Sequence, residues 1–495
     1  MSTAECVIIH PPYLTRPSER TYEPPLGPDV IAAYLRGIGI QAQALDLNIR
    51  LIHMIAAERS YDLDRAGEVD YGQASLDLIG SLNDRLEQTV ELDSSFYFKL
   101  DVDSDFLLAK SLELASDADD PFMQVFHRHF DPASNSVVGM SIHAESQLLS
   151  ALAYAATIKR QYPGHMVVLG GAYVSQVYRQ ILSWPALFDL VDVCCIGEGE
   201  ETMAALLRRE RLGLIPNIIF RDSDGSLRRT HHSILQSLDI LPVLEFSDYD
   251  QEFYPAVNGI GTLPYQTSRG CAYNRCAYCT YPIHEPGYRA RSVSKVVSDI
   301  AHLKSQYGAS FISFKDSLVV PSRMVDLCHA IMESDLNVHW KCATKVHPAI
   351  TAPAMVRLLV DAGCRRIEFG VEHVNERIQT LIDKRQPRDL IDRTVLEFAG
   401  TGIELNINMM FGFPTETEED ALENYDFINW AKSLPDAKVK FSAHFVEINK
   451  RSPFHVRPFD YGIKELDDTG PGGNCTWKKP SWRTKPVWIE RIQSV

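Results

Sequence analysis

The chain has 495 residues, with 49 Lys and Arg against 65 Asp and Glu, a formal net charge of −16. At roughly 100–200 residues per domain, that length implies about two to four domains, each able to bury its own core. A composition that is 45% hydrophobic and 23% charged excludes a disordered or fibrous chain. The acidic balance argues against nucleic acid or an anionic membrane surface as partner, and no apolar run approaches the roughly 18–20 residues of a membrane span. The start, MSTAECVIIHPPY, lacks the basic region and apolar stretch of a signal peptide. Ten cysteines are too few for a disulfide scaffold. The expected compartment is therefore the reducing cytoplasm, where a cysteine cluster points to metal.

In chain order, residues 6–10 read as a short buried strand. Pro11, Pro12, Pro24 and Pro25 punctuate the loop that follows, and residues 26–35 have helical spacing closed by Gly37 and Gly39. Further strands are expected at 41–47, 137–141, 166–171, 191–197 and 217–220, with a helix over 147–162. Val- and Ile-rich runs separated by helices argue for a doubly wound, Rossmann-like parallel sheet over residues 1–225. Ligands of such sheets sit beyond the carboxyl ends of the strands, here at Pro12, Ser141, His143, Gly170, Gly171, Glu198 and Gly199.

The sheet is interrupted over about 48–136, too long for a loop. Helical spacing at Leu76, Leu78, Ile79, Leu82 and Leu86 makes this stretch an inserted helical subdomain. Residues 58–120 hold 17 Asp and Glu against 5 Lys and Arg, so −12 of the −16 resides there and the rest of the chain carries −4. The acidity most simply makes a solvated helical face and says little about a substrate pocket.

Residues 226–260 read as a connector. Over 261–465, strands at 262–267, 310–314, 338–342, 365–371, 403–411 and 438–445 alternate with helices at 293–307, 322–333, 353–362 and 390–399. That repetition builds an open parallel sheet or part of a β/α barrel. The tail, 466–495, sets Trp477, Trp482 and Trp488 among Lys478, Lys479, Arg483 and Lys485. Such a mix either grips an anionic substrate or packs over the barrel's open end, and Cys475 is expected to be a surface cysteine.

The sharpest signal is Cys271-Ala-Tyr-Asn-Arg-Cys276-Ala-Tyr-Cys279, just after the first strand of the second half. Clustered thiolates favour zinc or an iron–sulfur cluster. Zinc wants a fourth ligand, for which His284 is near; three thiolates alone fit a 4Fe-4S cluster with one open iron. The surroundings decide between them. Thr267-Ser-Arg-Gly270, Phe314-Lys-Asp316, Phe369-Gly-Val-Glu372 and Met410-Phe-Gly-Phe-Pro414 resemble the radical SAM (S-adenosylmethionine) enzymes. The resemblance implies a partial (β/α)6 barrel with the 4Fe-4S cluster on Cys271, Cys276 and Cys279. It also implies SAM at the open iron with contacts from Tyr278, Asp316, Glu372, Gly412 and Pro414, and an external electron donor such as flavodoxin or ferredoxin. The family spacing is three then two residues between cysteines; here it is four then two.

Pro11-Pro-Tyr13, Pro25-Leu-Gly27, Ser141-Ile-His143, Leu169-Gly-Gly171 and Gly197-Glu-Gly-Glu200 resemble the cobalamin-binding domain fused to one radical SAM subgroup. The resemblance implies cobalamin at the strand ends named above. The Asp-x-His-x-x-Gly motif is absent, so His10 and His143 are not expected to ligate cobalt, and cobalamin is expected base-off. The whole is similar to cobalamin-dependent radical SAM methyltransferases, which methylate an unactivated carbon of a natural-product-type small molecule or peptide. Radical cyclisation or rearrangement with the same cofactors, or a first domain without cobalamin, are the alternatives. A transfer-RNA methylthiolating enzyme is disfavoured, because Cys6, Cys194 and Cys195 do not form that family's second triad.

Overall fold

A computed structural model describes residues 5–12, 23–58, 104–131, 137–250, 253–254, 262–468, 473–493 and 495. The chain forms two compact units, one comprising residues 1–236, 240–261 and 470–473, the other 237–239, 262–469 and 474–495. Among the described residues no helix is long and apolar enough to cross a membrane.

In the first unit β1 (Cys6–His10), β2 (Ala42–Asp46), β3 (Val137–Ser141), β4 (Met166–Gly170) and β5 (Val193–Cys195) pair in parallel, in the order β2-β1-β3-β4-β5. This is a doubly wound order, and its strands are largely apolar and buried because helices cover both faces. The parallel expectation needs one correction: β6 (Ile218–Arg221) and β7 (Leu227–Arg229) join as an antiparallel hairpin. Strand β7 falls in the stretch read as connector. Three residues offer no periodicity, but Asp224-Gly225, with Gly225 at φ +82, is a readable hairpin turn.

The described flanks of the insertion correct a second expectation. Helices Leu47–Glu58, Ser104–Leu114 and Pro121–His129 send Leu51, Ile55, Leu107, Phe122 and Met123 into the core of the sheet. They are a layer of the Rossmann-like unit and not a separate subdomain. Phe126 stacks on Tyr154 of the helix Leu148–Gln161 at 4.6 Å, and Asp120 caps its own helix through the Phe122 N–H at 2.7 Å. Residues Leu76 to Leu86 lie outside the described residues.

Gly171 ends β4 at φ +101 and ψ 180, a conformation essentially reserved for glycine. A Cβ there would also collide with the Ile142 carbonyl oxygen. Gly171→Ala is therefore expected to destabilise the unit by about 3 kcal/mol or more. Urea denaturation checks this, and an unchanged midpoint contradicts it.

In the second unit β8 (Thr262–Tyr265) starts a six-stranded parallel sheet; β9 (Ser268–Arg269) and β10 (Arg289–Ala290) form a separate antiparallel pair. The sheet continues through β11 (Phe311–Phe314), β12 (His339–Thr344), β13 (Cys364–Glu372), β14 (Glu404–Phe411) and β15 (Val439–Phe445). Sheet order follows chain order, as in a partial (β/α)6 barrel. The four expected helices are present, joined by Glu376–Leu381 and Glu418–Ser433. The last begins with a Thr417–Asp420 capping box, a signal legible in sequence but not used.

Strand alternation sorts the two faces. Ile367, Phe369 and Val371 are at most 1% exposed toward the helices, with Phe369 against Phe398 at 6.1 Å. The inner face is hydrophilic instead. Arg366 pairs with Glu404 at 2.5 Å, Asn408 donates to Glu368 at 2.8 Å, and Ser442 donates to Asn406 at 3.4 Å.

Beyond the barrel, β16 (Ile448–Asn449) and β17 (Leu466–Asp467) pair antiparallel with β18 (Asn474–Trp477). Trp477, Trp482 and Trp488 are all buried, so the tail packs on its own unit. Cys475 is 3% exposed in a cluster with Ile448, Phe454 and Trp477, which corrects its reading as a surface cysteine. The alternation of β18, polar Asn474 and Thr476 against Cys475 and Trp477, is the reason.

Candidate functional site

The cysteine loop leaves β8 through Thr267–Gly270 and is pinned at many points. Gly270, at φ +79, has no room for a Cβ beside the Gly287 carbonyl, and its N–H donates to Glu285 at 2.9 Å. The Ala277 N–H donates to the Ile382 carbonyl at 2.9 Å, and the Ala277 carbonyl accepts from Phe454 at 3.0 Å. The Tyr273 hydroxyl donates to the Asp383 carbonyl at 2.5 Å. Asn274, at φ +48, turns the chain between Cys271 and Cys276. A left-handed Asn is an inexpensive way to absorb the extra residue in the first gap.

All three thiols are half-buried. The Asn274 N–H approaches Cys271 Sγ at 3.5 Å and the Tyr281 N–H approaches Cys279 Sγ at 3.4 Å. Such bonds stabilise ligating thiolates. Burial pushes the Cys279 thiol up to about 12 and raises Cys276, while nearby Lys384 works in the opposite direction on both. Among the described residues no three His, Cys, Asp or Glu side chains converge on a single metal-sized point. Three thiolates on one loop match the three protein ligands of a 4Fe-4S cluster with one open iron. His284 lies on the short helix Tyr281–His284, and its side chain is outside the described residues.

Beside the loop, Glu372 ends β13 at φ +68, where the register with β14 shifts between Gly370 and Glu372. The irregularity re-aims its carboxylate. Glu372 Oε1 accepts from Lys384 Nζ at 2.6 Å and from the Tyr278 hydroxyl at 3.0 Å; Lys384 also donates to that hydroxyl at 3.0 Å. Gly370 makes this possible, since a Cβ there would stand 2.6 Å from Lys384 Nζ. Burial pulls the Lys384 ammonium's pKa down, but the Glu372 carboxylate together with Cys276 and Cys279 offsets this, and the net shift is upward. Sequence reasoning missed Lys384, a lone lysine in a loop with no pattern around it.

Asp316 sits elsewhere in the network. Its carboxylate, 4% exposed, accepts from the Thr267 N–H at 3.2 Å, the Thr267 hydroxyl at 2.9 Å and the Ser268 hydroxyl at 2.5 Å. Arg323 reinforces the same point by donating to the Thr267 carbonyl at 2.9 Å. Asp316 thus anchors the entry to the cysteine loop.

The turn carrying Gly412 and Pro414 is buried, and Phe413 lies 6.1 Å from the Tyr278 ring. Gly412 has φ +76, but the space its Cβ would need is filled by the stem of Arg483. Close approach at this glycine was expected for a cofactor; the neighbour is the chain's own tail. On the turn's other side Glu416 accepts from the Phe413 N–H at 2.6 Å and faces His373 at 3.5 Å, with neither side chain exposed.

In the first unit the strand order reverses between β1 and β3, and all the expected ligand residues lie at the carboxyl edge of the sheet. His143 is exposed, and Ser141, Gly170, Gly171 and Glu198 are partly so, whereas Pro12 and Gly199 are buried. Several of these serve the chain itself. The Pro12 carbonyl accepts from Ser150 at 3.1 Å, Glu198 accepts from the Leu235 N–H at 2.6 Å, and a Cβ on Gly199 would press on Ile31 at 3.1 Å. His10 is buried, which lowers its pKa and keeps the ring neutral inside the fold. Tyr13 lies outside the described residues.

Next to Gly170, a cavity with about 550 Å³ free of protein atoms, part of it open to solvent, is lined by Leu169, Tyr173, Val174, Val177, Gln180 and Trp184 among others. Gln180 Oε1 and Trp184 Nε1 are buried without a hydrogen-bond partner among the described residues. They leave one acceptor and one donor on the cavity wall for a polar partner.

Residues 265–428 match the Radical SAM superfamily, and residues 123–207 match the B12 binding domain. The chain thus carries a Radical SAM domain and a B12 binding domain. The first match starts at the end of β8 and includes the cysteine loop, Asp316 and the Gly412 turn. The second spans β3, β4, β5 and most of the cavity lining, and begins inside the helix Pro121–His129. The chain is 26% identical over 317 residues to the uncharacterized methyltransferase PH0819 of Pyrococcus horikoshii, covering 62% of this chain and 65% of the relative. It is 24% identical over 322 residues to the anaerobic magnesium-protoporphyrin IX monomethyl ester cyclase of Rubrivivax gelatinosus, covering 61% of this chain and 56% of the relative. The match thus spans less than two thirds of either relative's length. Its fold is similar to that of TsrM from Kitasatospora setae, a radical S-adenosylmethionine methyltransferase solved with cobalamin and a 4Fe-4S cluster. That likeness has a TM-score of 0.61 at 17% identity, covering 93% of this chain and 74% of TsrM.

Proposed function

We propose that the protein is a cobalamin-dependent radical SAM methyltransferase acting on an unactivated carbon of a hydrophilic small molecule or peptide. The observation that carries this reading is the three-thiol loop beside the Tyr278–Glu372–Lys384 network, in a chain whose other unit has a ligand cavity at a Rossmann-like strand edge. The names of PH0819 and TsrM support methyl transfer as the outcome. Bound here, a 4Fe-4S cluster and SAM supply an organic radical that takes hydrogen from carbon, and cobalamin supplies the methyl group.

The chain's own residues prepare those steps. Cys271, Cys276 and Cys279 hold the cluster. Glu372 and Lys384 offer fixed opposite charges beside it, matching a zwitterionic amino acid group, and Tyr278 and the Gly412–Pro414 turn form the remaining SAM edge. Asp316 acts through the loop entry it anchors. Pro12, Ser141, His143, Gly170, Gly171, Glu198 and Gly199 form the cobalamin edge, base-off, with the cavity beside Gly170 taking an appended group. The hydrophilic inner face, including Glu368, Asn406, Asn408 and Ser442, favours a hydrogen-bonding substrate over a lipid, because an apolar ligand would strip water from these polar groups without offering them new hydrogen bonds. An external one-electron donor such as flavodoxin or ferredoxin and a cytoplasmic location complete the reading.

The test uses anaerobically reconstituted enzyme, reductant, SAM labelled with deuterium in its methyl group, and a water-soluble metabolite fraction. The expected product carries the intact labelled methyl on carbon. Only 5′-deoxyadenosine with an unlabelled, cyclised or rearranged product would overturn the methyltransferase reading and favour the chemistry of the Rubrivivax relative.

A further inference from the structure

The segment after residue 473 lies beyond both domain matches, and its residues 482–488 contact both residues 445–447 and the Gly412 turn. The Arg483 stem covers Gly412. Its guanidinium, on a residue 6% exposed, donates to the Val446 carbonyl at 2.9 Å and to Glu447 at 3.0 Å, and lies 4.5 Å over the Phe445 ring. Trp482 Nε1 donates to the Glu416 carbonyl at 3.1 Å. Lys485 and Trp488 both donate to the Glu418 carboxylate, at 2.5 and 3.0 Å. Residues 482–488 thus bear on positions 412, 416 and 418 at once.

The turn needs such restraint. Gly412 and Thr415 both have positive φ, at +76 and +64, and for Thr415 this is a sparsely populated conformation that persists only when its surroundings over-determine it. Arg377, from outside the tail, also restrains Thr415, donating to its carbonyl at 3.1 Å. A turn held by two segments is preorganised; released by one of them, it spends part of its time in forms that do not bind, and apparent affinity falls by that fraction.

We propose that the C-terminal segment clamps the SAM pocket, with Arg483 as the positioning residue that fixes the Gly412 turn. The inference rests on the reading that this turn forms part of the SAM edge. Its consequence is that the tail governs SAM affinity and leaves cluster assembly alone.

The test compares cluster-loaded wild-type enzyme with Arg483→Met, which keeps a stem over Gly412 but loses the guanidinium, and with Arg483→Ala. Trp482→Phe, which loses the indole N–H and shrinks the ring, gives a milder third variant should Arg483→Ala fail to fold. Each is assayed for iron content, SAM dissociation constant, KM and kcat for SAM cleavage to 5′-deoxyadenosine, and amide hydrogen exchange in residues 412–418. Wild-type iron content, faster exchange in the turn and a KM and dissociation constant for SAM raised about tenfold or more, with kcat largely kept, is the expected result. Unchanged exchange in the folded variants overturns the clamp. Faster exchange with unchanged SAM affinity overturns the assignment of this turn to SAM, and the clamp's function with it.

Discussion

Cys276→Ala, and equally Cys271→Ala or Cys279→Ala, is expected to leave a folded protein that has lost its cluster iron. Reductive cleavage of SAM should fall about a thousandfold or more, since the cofactor and not the protein carries the hard chemistry. The loop is held by bonds that do not use its thiols: Gly270 to Glu285, Ala277 to Ile382 and Tyr273 to Asp383. Losing one half-buried sulfur is thus expected to cost only about 1 kcal/mol of stability in the metal-free chain. Iron analysis, circular dichroism and a 5′-deoxyadenosine assay together check the result. A variant that keeps stoichiometric iron and turnover would remove the cysteine loop from the mechanism.

The second large effect falls on the Lys384–Glu372 pair. Both side chains are 9% exposed and meet at 2.6 Å. Removing one partner of a buried pair leaves the other charge uncompensated, at a cost of about 3–5 kcal/mol. Lys384→Met is expected to show that loss, because the Tyr278 hydroxyl alone is left to satisfy a carboxylate already carried at positive φ. Combining Lys384→Met with Glu372→Gln should recover a large part of the stability while SAM affinity stays low, since the matched charges are gone. Urea denaturation gives the coupling energy and equilibrium dialysis the affinity. A loss below about 1 kcal/mol in Lys384→Met would mean that the pair behaves like a solvent-exposed one.

These two sites differ in how far the chain announces them. Three cysteines within nine residues after an apolar run are a local pattern, and so are the period-two strands and the helices with their glycine stops. Both domains were legible on that basis. Lys384 reaches Tyr278 across 106 positions, and Arg483 reaches Glu447 across 36; tertiary packing, which no local period encodes, brings these pairs together. Gly412 shows the same limit in another form. Its special conformation was legible, but whether ligand or chain fills the space above it was not. The helices Ser104–Leu114 and Pro121–His129 were read as part of a separate subdomain because spacing marks an apolar stripe and not the surface that stripe will cover. The −12 of residues 58–120 belongs mainly to positions outside the described residues, and the remainder of the chain carries only −4.

The central claim is that one chain holds two cofactors, an iron–sulfur cluster on its barrel loop and a cobalamin on its Rossmann-like edge. Metal analysis tests it most directly, after anaerobic reconstitution with iron, sulfide and hydroxocobalamin followed by gel filtration. The account predicts about four iron atoms and about one cobalt atom per chain, with Cys276→Ala losing the iron and keeping the cobalt. Full iron with no retained cobalt would contradict it.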